Sequence, residues 1–95
     1  MYGVVRRYDG DPKVLLDFAQ RVQGVVEELR QIPGFVSYYV VVTGETLISL
    51  SIYEDQAGAD ASTELSRKYA FNEWTDLKLN PAEVTSGEIV VHAAR

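Results

Sequence analysis

Ile32-Pro33-Gly34-Phe35-Val36-Ser37 joins a helical stretch directly to an aromatic-rich strand, and this joint decides the fold. Proline disfavours helix at the residue before it, and glycine permits the reversal that ends a helix. Upstream, Val14, Leu15, Phe18, Val22, Val25, Val26 and Leu29 recur in steps of three and four, with Lys13, Asp17, Gln20, Arg21, Glu27 and Glu28 opposite them. That spacing predicts one long amphipathic helix from Lys13 to the Pro33-Gly34 stop. Asp11-Pro12 supplies its N-cap and a proline at the first helical position. Gly24 costs about 1 kcal/mol relative to alanine inside a helix, a loss expected to be offset by close approach to a sheet.

Downstream of the joint, Phe35 to Thr43 reads as a strand, Gly44-Glu45 as a two-residue type II′ hairpin, and Thr46 to Tyr53 as the returning strand. Ile48, Leu50 and Ile52 fall on one face of that strand, and Leu47, Ser49, Ser51 and Tyr53 on the other. Asp55 caps a second helix running from about Gln56 into the seventies, with a stripe of Ala57, Ala61, Leu65, Tyr69, Trp74 and Leu77, until Leu79-Asn80-Pro81 breaks it. Tyr2 to Tyr8, closed by Asp9-Gly10, is a first strand, and Glu88 to His92 a last one. The order is β-α-β-β-α-β, a ferredoxin-like α+β fold: a four-stranded antiparallel sheet with two helices on one face, in a single domain spanning residues 1–95.

Composition narrows the functional classes. A net charge of -5 argues against nucleic acid and against an anionic membrane surface. With no cysteine, disulfides, thiolate nucleophiles and zinc-thiolate sites are excluded. No apolar run approaches the roughly 20 residues of a membrane span, and the first residues lack a signal-peptide pattern. A soluble, cytoplasmic domain is expected.

Two helices cover one face of a four-stranded sheet, so the other should alternate towards polar residues if water met it. The second strand does not: Phe35, Ser37, Tyr39 and Val41 share one face, and Val36, Tyr38, Val40 and Val42 the other. Both faces are apolar and both should be covered, the second most simply by another copy of the chain. A homodimer through the sheet face is expected, burying roughly 800 Å² per partner.

Candidate pocket residues are few. Ser49, Ser51 and Tyr53 share one face of a central-looking strand, where small polar residues leave room and offer hydroxyl handles, or simply fit a crowded sheet. Tyr38 and Tyr39 point to opposite faces, so one of them, Tyr39 in the reading adopted, lines a cavity or an interface. Trp74, with Phe71, closes a pocket over an aromatic ligand or packs the helix end. His92, the only histidine, is a candidate base at a strand end; Glu88 on the same strand is about 13 Å away, too far to pair with it. A single histidine without a carboxylate cluster gives no metal ligand set, and no cofactor is indicated. Arg6 and Arg7 alternate faces, so one of them points inward and needs a carboxylate or a ligand anion.

Ile32 to Tyr38, the Gly44-Glu45-Thr46 hairpin, Tyr53-Glu54-Asp55-Gln56-Ala57-Gly58-Ala59 and the closing Gly87-Glu88-Ile89-Val90-Val91-His92 together resemble the dimeric α+β barrel superfamily. Within it they are most similar to small bacterial proteins related to antibiotic-biosynthesis monooxygenases. The resemblance implies sheets paired across a two-fold axis and two functional classes. One is a non-catalytic dimer that binds a small apolar or aromatic ligand. The other is a cofactor-free monooxygenase acting on a small phenol. The haem-degrading branch uses an asparagine on the first strand, a tryptophan and a histidine on the second helix; this chain has Trp74 but neither of the other two, so haem degradation is disfavoured.

Overall fold

The computed structural model describes all 95 residues. Strand β1 (Tyr2–Asp9) leads to helix α1 (Pro12–Gln23) and a short helix α2 (Val26–Arg30). Strands β2 (Phe35–Thr43) and β3 (Thr46–Tyr53) follow, then helix α3 (Gln56–Arg67), a π-helical turn (Lys68–Glu73), a 3-10 turn (Thr75–Leu77) and strand β4 (Glu83–Glu88). The sheet order is β2-β3-β1-β4 with every neighbouring pair antiparallel. This is the ferredoxin-like arrangement. No helix is long and apolar enough to cross a membrane.

The caps act where the sequence placed them. Asp11 accepts from the Lys13 amide at 2.8 Å ahead of Pro12, and Asp55 from the Gly58 amide at 3.1 Å. Gly34 and Gly44 take φ of 84° and 54°, while Glu45 keeps a negative φ, so only the first central hairpin residue is left-handed. That combination is the type II′ requirement.

Four details depart from the sequence reading. The long helix is interrupted at Gly24 and Val25, and Gly24 is exposed, a Cβ there meeting only the Arg21 carbonyl of its own helix at 3.3 Å. Its glycine serves the break, not an approach to the sheet. The buried face of α3 is Gly58, Ala59 and Ser62, while Ala57 and Ala61 are exposed; the sheet crowds this helix, so the smallest side chains turn inward. The last strand runs Glu83–Glu88, about five residues earlier than the apolar run suggested, leaving Val90 and Val91 exposed beyond it. Finally, a bulge at Val36 sets Phe35 opposite Tyr53 and Ser37 opposite Ile52. Phe35 therefore lies on the helix side with Tyr38, Val40 and Val42, not beside Ser37 and Tyr39.

Two apolar clusters hold sheet and helices together. Tyr8, Leu15, Phe18, Val22, Leu47 and Leu77 form the larger; Val4, Tyr53 and Ala59, backed by Ile32 and Phe35, form the smaller. Burying each such aliphatic side chain contributes about 1.5–3 kcal/mol. Between the clusters the helix-facing row changes character. On β1 it reads Val4, Arg6, Tyr8, and on β3 Leu47, Ser49, Ser51, Tyr53, all buried. A polar band crosses the middle of an otherwise apolar core.

Candidate functional site

The polar band lines a partly open cavity of about 40 Å³ between the sheet and the helices. Strand pairing builds its floor: Arg6 lies opposite Ser49, and Tyr38 opposite Ser51, so β1, β3 and β2 present their side chains to one space. Ser62, Ser66 and Tyr69 come down from α3 and the π turn, and Phe18, Val25 and Leu29 close the side. The small Ser62 and Ser66 of α3 leave this space beside Leu65 and Tyr69.

Three features make the cavity chemically unusual. The Ser51 and Tyr53 hydroxyls are fully buried and find no hydrogen-bond partner in the protein. Such unmade bonds cost about 1–3 kcal/mol each. Arg6 is only 6% exposed, donates from Nη2 to Thr63 Oγ1 at 2.8 Å, and takes part in none of the ion pairs. Burial pushes the Tyr38 phenol up to about 12, with the nearby Tyr8 acting the same way and Arg6 and Ser49 opposing it. Tyr38 is thus a neutral hydrogen-bonding group at physiological pH, not a base.

The roof is latched. The Tyr69 hydroxyl donates to the Glu28 carboxylate on α2, and this bond, followed by burial, holds the phenol above its ordinary pKa. Tyr69 packs on Trp74 with ring centroids 4.9 Å apart, and Trp74 meets Phe18 edge-on at 5.9 Å. The Trp74 amide bonds back to the Tyr69 carbonyl across five residues at 2.8 Å, which sets the π turn. Below it, Arg21 grips Asp76 at 2.7 Å and Asp17 at 3.1 Å, tying the 3-10 turn to α1.

Of the six candidate residues, Ser49, Ser51 and Tyr53 converge on the cavity. Trp74 stands behind Tyr69 and does not line it. Tyr39 is on the opposite sheet face, 57% exposed, and the inward member of that pair is Tyr38. His92 lies exposed beyond β4 with no part in the site. Of the Arg6–Arg7 pair, Arg6 is the inward member, while Ser62, Ser66 and Tyr69 are pocket residues that the sequence reading does not single out. The charge at an inward β1 position was the signal for Arg6, and the run Ser62-Thr63-Glu64-Leu65-Ser66 was the signal for the small polar helix face. No group of three or more histidine and carboxylate side chains is placed to hold a metal ion. A larger, open groove of about 570 Å³ runs along β2 beside α1 and α2, but no buried polar side chain converges on it.

The sequence model of a family described as antibiotic biosynthesis monooxygenase matches residues 1–76. No curated protein matches the chain. Among solved structures, the chain is similar to a protein of unknown function from Nitrosomonas europaea, with a TM-score of 0.76 and 14% identity over 99% of this chain and 93% of that one. It is also similar to a Streptomyces coelicolor monooxygenase in complex with nanaomycin D, with a TM-score of 0.73 and 20% identity over 99% and 91%. A dimeric ferredoxin-like protein from an uncultured marine organism gives 0.72 and 12% over 99% and 97%. At these identities the likeness is one of fold.

Proposed function

The chain belongs to the antibiotic biosynthesis monooxygenase family, and from that premise we propose that it is a homodimer binding a small aromatic ligand between sheet and helices. The observation that carries this reading is the pair of orphan hydroxyls, Ser51 and Tyr53, facing an internal cavity. Buried polar groups without partners are costly, and they persist where a ligand supplies the missing bond. The cavity holds only one or two water-sized groups, so a ring enters it only if its walls move apart, and the Tyr69–Glu28 contact on its border is the wall tied by a side-chain bond. Isothermal calorimetry and heteronuclear NMR against a panel of small phenols and aromatic acids test it. Binding should perturb the amides of Ser51, Tyr53 and Tyr69; a panel that leaves them all unmoved overturns the reading.

The second reading, cofactor-free oxygenation of a phenol, is supported by the fold shared with the Streptomyces coelicolor monooxygenase. In that reaction one atom of dioxygen enters the ring and the other leaves as water, phenol becoming quinone. It needs a base to take the phenolic proton, and the cavity offers none: Tyr38 is a poor one with its raised pKa, and His92 is outside. Oxygen uptake on adding a bound phenol would favour this reading over simple binding. The compartment this proposal takes is the cytoplasm, since a chain without cysteine draws nothing from an oxidising environment.

Dimerisation rests on the open sheet face, where Val5, Tyr39 and Val41 are exposed beside half-buried Ile48, Leu50 and Ile52. Monomeric proteins seldom expose so continuous an apolar surface. Light scattering at micromolar concentration should return twice 10.6 kDa; the single mass would sink the dimer.

A further inference from the structure

We propose that Arg6 makes this site selective for a single-ring aromatic anion, its oxyanion held at the guanidinium and its ring lodged in an adjoining pocket between the π turn and β4. The inference rests on the ligand-binding reading above and names the class of ligand. It begins with charge. A guanidinium carries five N–H donors, and Arg6 satisfies one side-chain acceptor, Thr63. Thr63 in turn lies within bonding reach of the Ala59 carbonyl at 3.2 Å, so its hydroxyl is fixed and offers no negative charge. An uncompensated buried cation is strongly unfavourable.

The surroundings supply donors and no counter-ion. No carboxylate lines the inner cavity, and the Ser51 and Tyr53 hydroxyls are both free to donate. Tyr38, kept protonated by burial, adds a third phenolic or alcoholic donor. Donors converging around a cation recognise an oxyanion, as a carboxylate or phenolate presents it.

Size sets the rest of the ligand. Beside the inner cavity lies a second pocket of about 130 Å³, and Arg6, Tyr8 and Ser66 line both, so Arg6 stands at their junction. The outer pocket is walled by Phe71, Pro81, Ala82 and Val84. It is close to the roughly 150 Å³ that accommodates one benzene ring in an apolar cavity. Arg67 also borders it, but that charge is already paired with Glu64 at 3.0 Å, leaving Arg6 as the unpaired cation. The inner space suits the head and the outer one the ring.

The test uses benzoate, its neutral isostere benzamide, and 1-naphthoate as calorimetric and NMR probes of the wild-type protein and of Arg6→Gln and Arg6→Lys. Benzoate is expected to bind at least about tenfold more tightly than benzamide, because a buried charged site left unmatched discriminates strongly. Arg6→Gln should abolish the preference, Arg6→Lys should keep part of it, and naphthoate should bind no more tightly than benzoate. Equal binding of benzoate and benzamide, with the Ser51 and Tyr53 amides shifted by both, overturns the anion assignment and leaves the pocket standing. Tighter naphthoate overturns the single-ring limit. Failure of every probe to bind overturns the inference and the pocket together. Should Arg6→Gln fail to fold, the wild-type comparison of benzoate with benzamide decides alone.

Discussion

The two faces of this sheet invert the usual arrangement. Under the helices, where a core should be driest, the middle positions are Arg6, Ser49 and Ser51; towards the outside they are Val5, Tyr39, Val41, Ile48 and Leu50. At the centre of the sheet each face carries residues that the other would be expected to have, and each local inversion calls for something that completes it. Polar groups without partners inside call for a ligand, and apolar surface outside calls for a second protein surface. On the proposal made above, β3 would serve ligand binding and self-association on alternate residues.

The comparison breaks most visibly from the outside. Leu50 pairs with Val5 on one side and Tyr39 on the other, at the centre of the open face. Leu50→Glu should weaken self-association at least about thirtyfold, read as a halved mass by light scattering, while circular dichroism stays native. From the inside, Gly58 is the tightest point: a Cβ there would lie 3.0 Å from the Pro33 carbonyl oxygen and from two atoms of Tyr53. Gly58→Ala should cost a net 1–2 kcal/mol, roughly, once the better helix propensity of alanine is subtracted, measured by urea unfolding. The dimer, if formed by the other face, should survive it.

Two further effects sharpen the inner face. The Tyr38 phenol ionises only near 12 in the folded chain but near 10 when unfolded, so folding is unaffected below pH 10 and loses stability as pH rises from there towards 12. The loss should approach about 3 kcal/mol and vanish in Tyr38→Phe, with late titration of one tyrosine visible by ultraviolet absorbance. Removing an orphan hydroxyl should go the other way. Ser51→Ala is expected to stabilise the ligand-free protein by about 1 kcal/mol in thermal melts while weakening ligand binding several-fold, the trade-off of a group kept for function. A destabilised Ser51→Ala would mean that the hydroxyl is structural.

Most of the topology was legible from local chemistry. Asp11-Pro12, Pro33-Gly34, Gly44-Glu45 and Asp55 each specify a terminus or turn by their own dihedral and hydrogen-bonding needs, and they act where they stand. The errors arose where tertiary contacts decide. Ile89-Val90-Val91 has strand composition, but β1 pairs with the chain only from Glu83 to Glu88, its Tyr2 lying opposite Glu88. The stripe of the second helix holds at Leu65, Tyr69, Trp74 and Leu77 and fails at Ala57 and Ala61, because in its first turns the crowding sheet admits only Gly58, Ala59 and Ser62. The site was half legible. Period-two alternation put Ser49, Ser51 and Tyr53 on one face, but which face the helices cover depends on packing across the sheet, so Tyr39 was chosen where Tyr38 points inward.

The bulge at Val36 has a genetic consequence. Substitutions along β2 act one side chain at a time, whereas losing the Val36 codon would remove the bulge and set Phe35 directly before Ser37 in a regular ladder, with Phe35 still opposite Tyr53 and still directed to the helix side. Losing Ser37 as well would set Phe35 next to the inward Tyr38, break its edge-on contact with Tyr53 and bring it out beside Tyr39. In this strand the reading of inside and outside is written in residue count as much as in residue type.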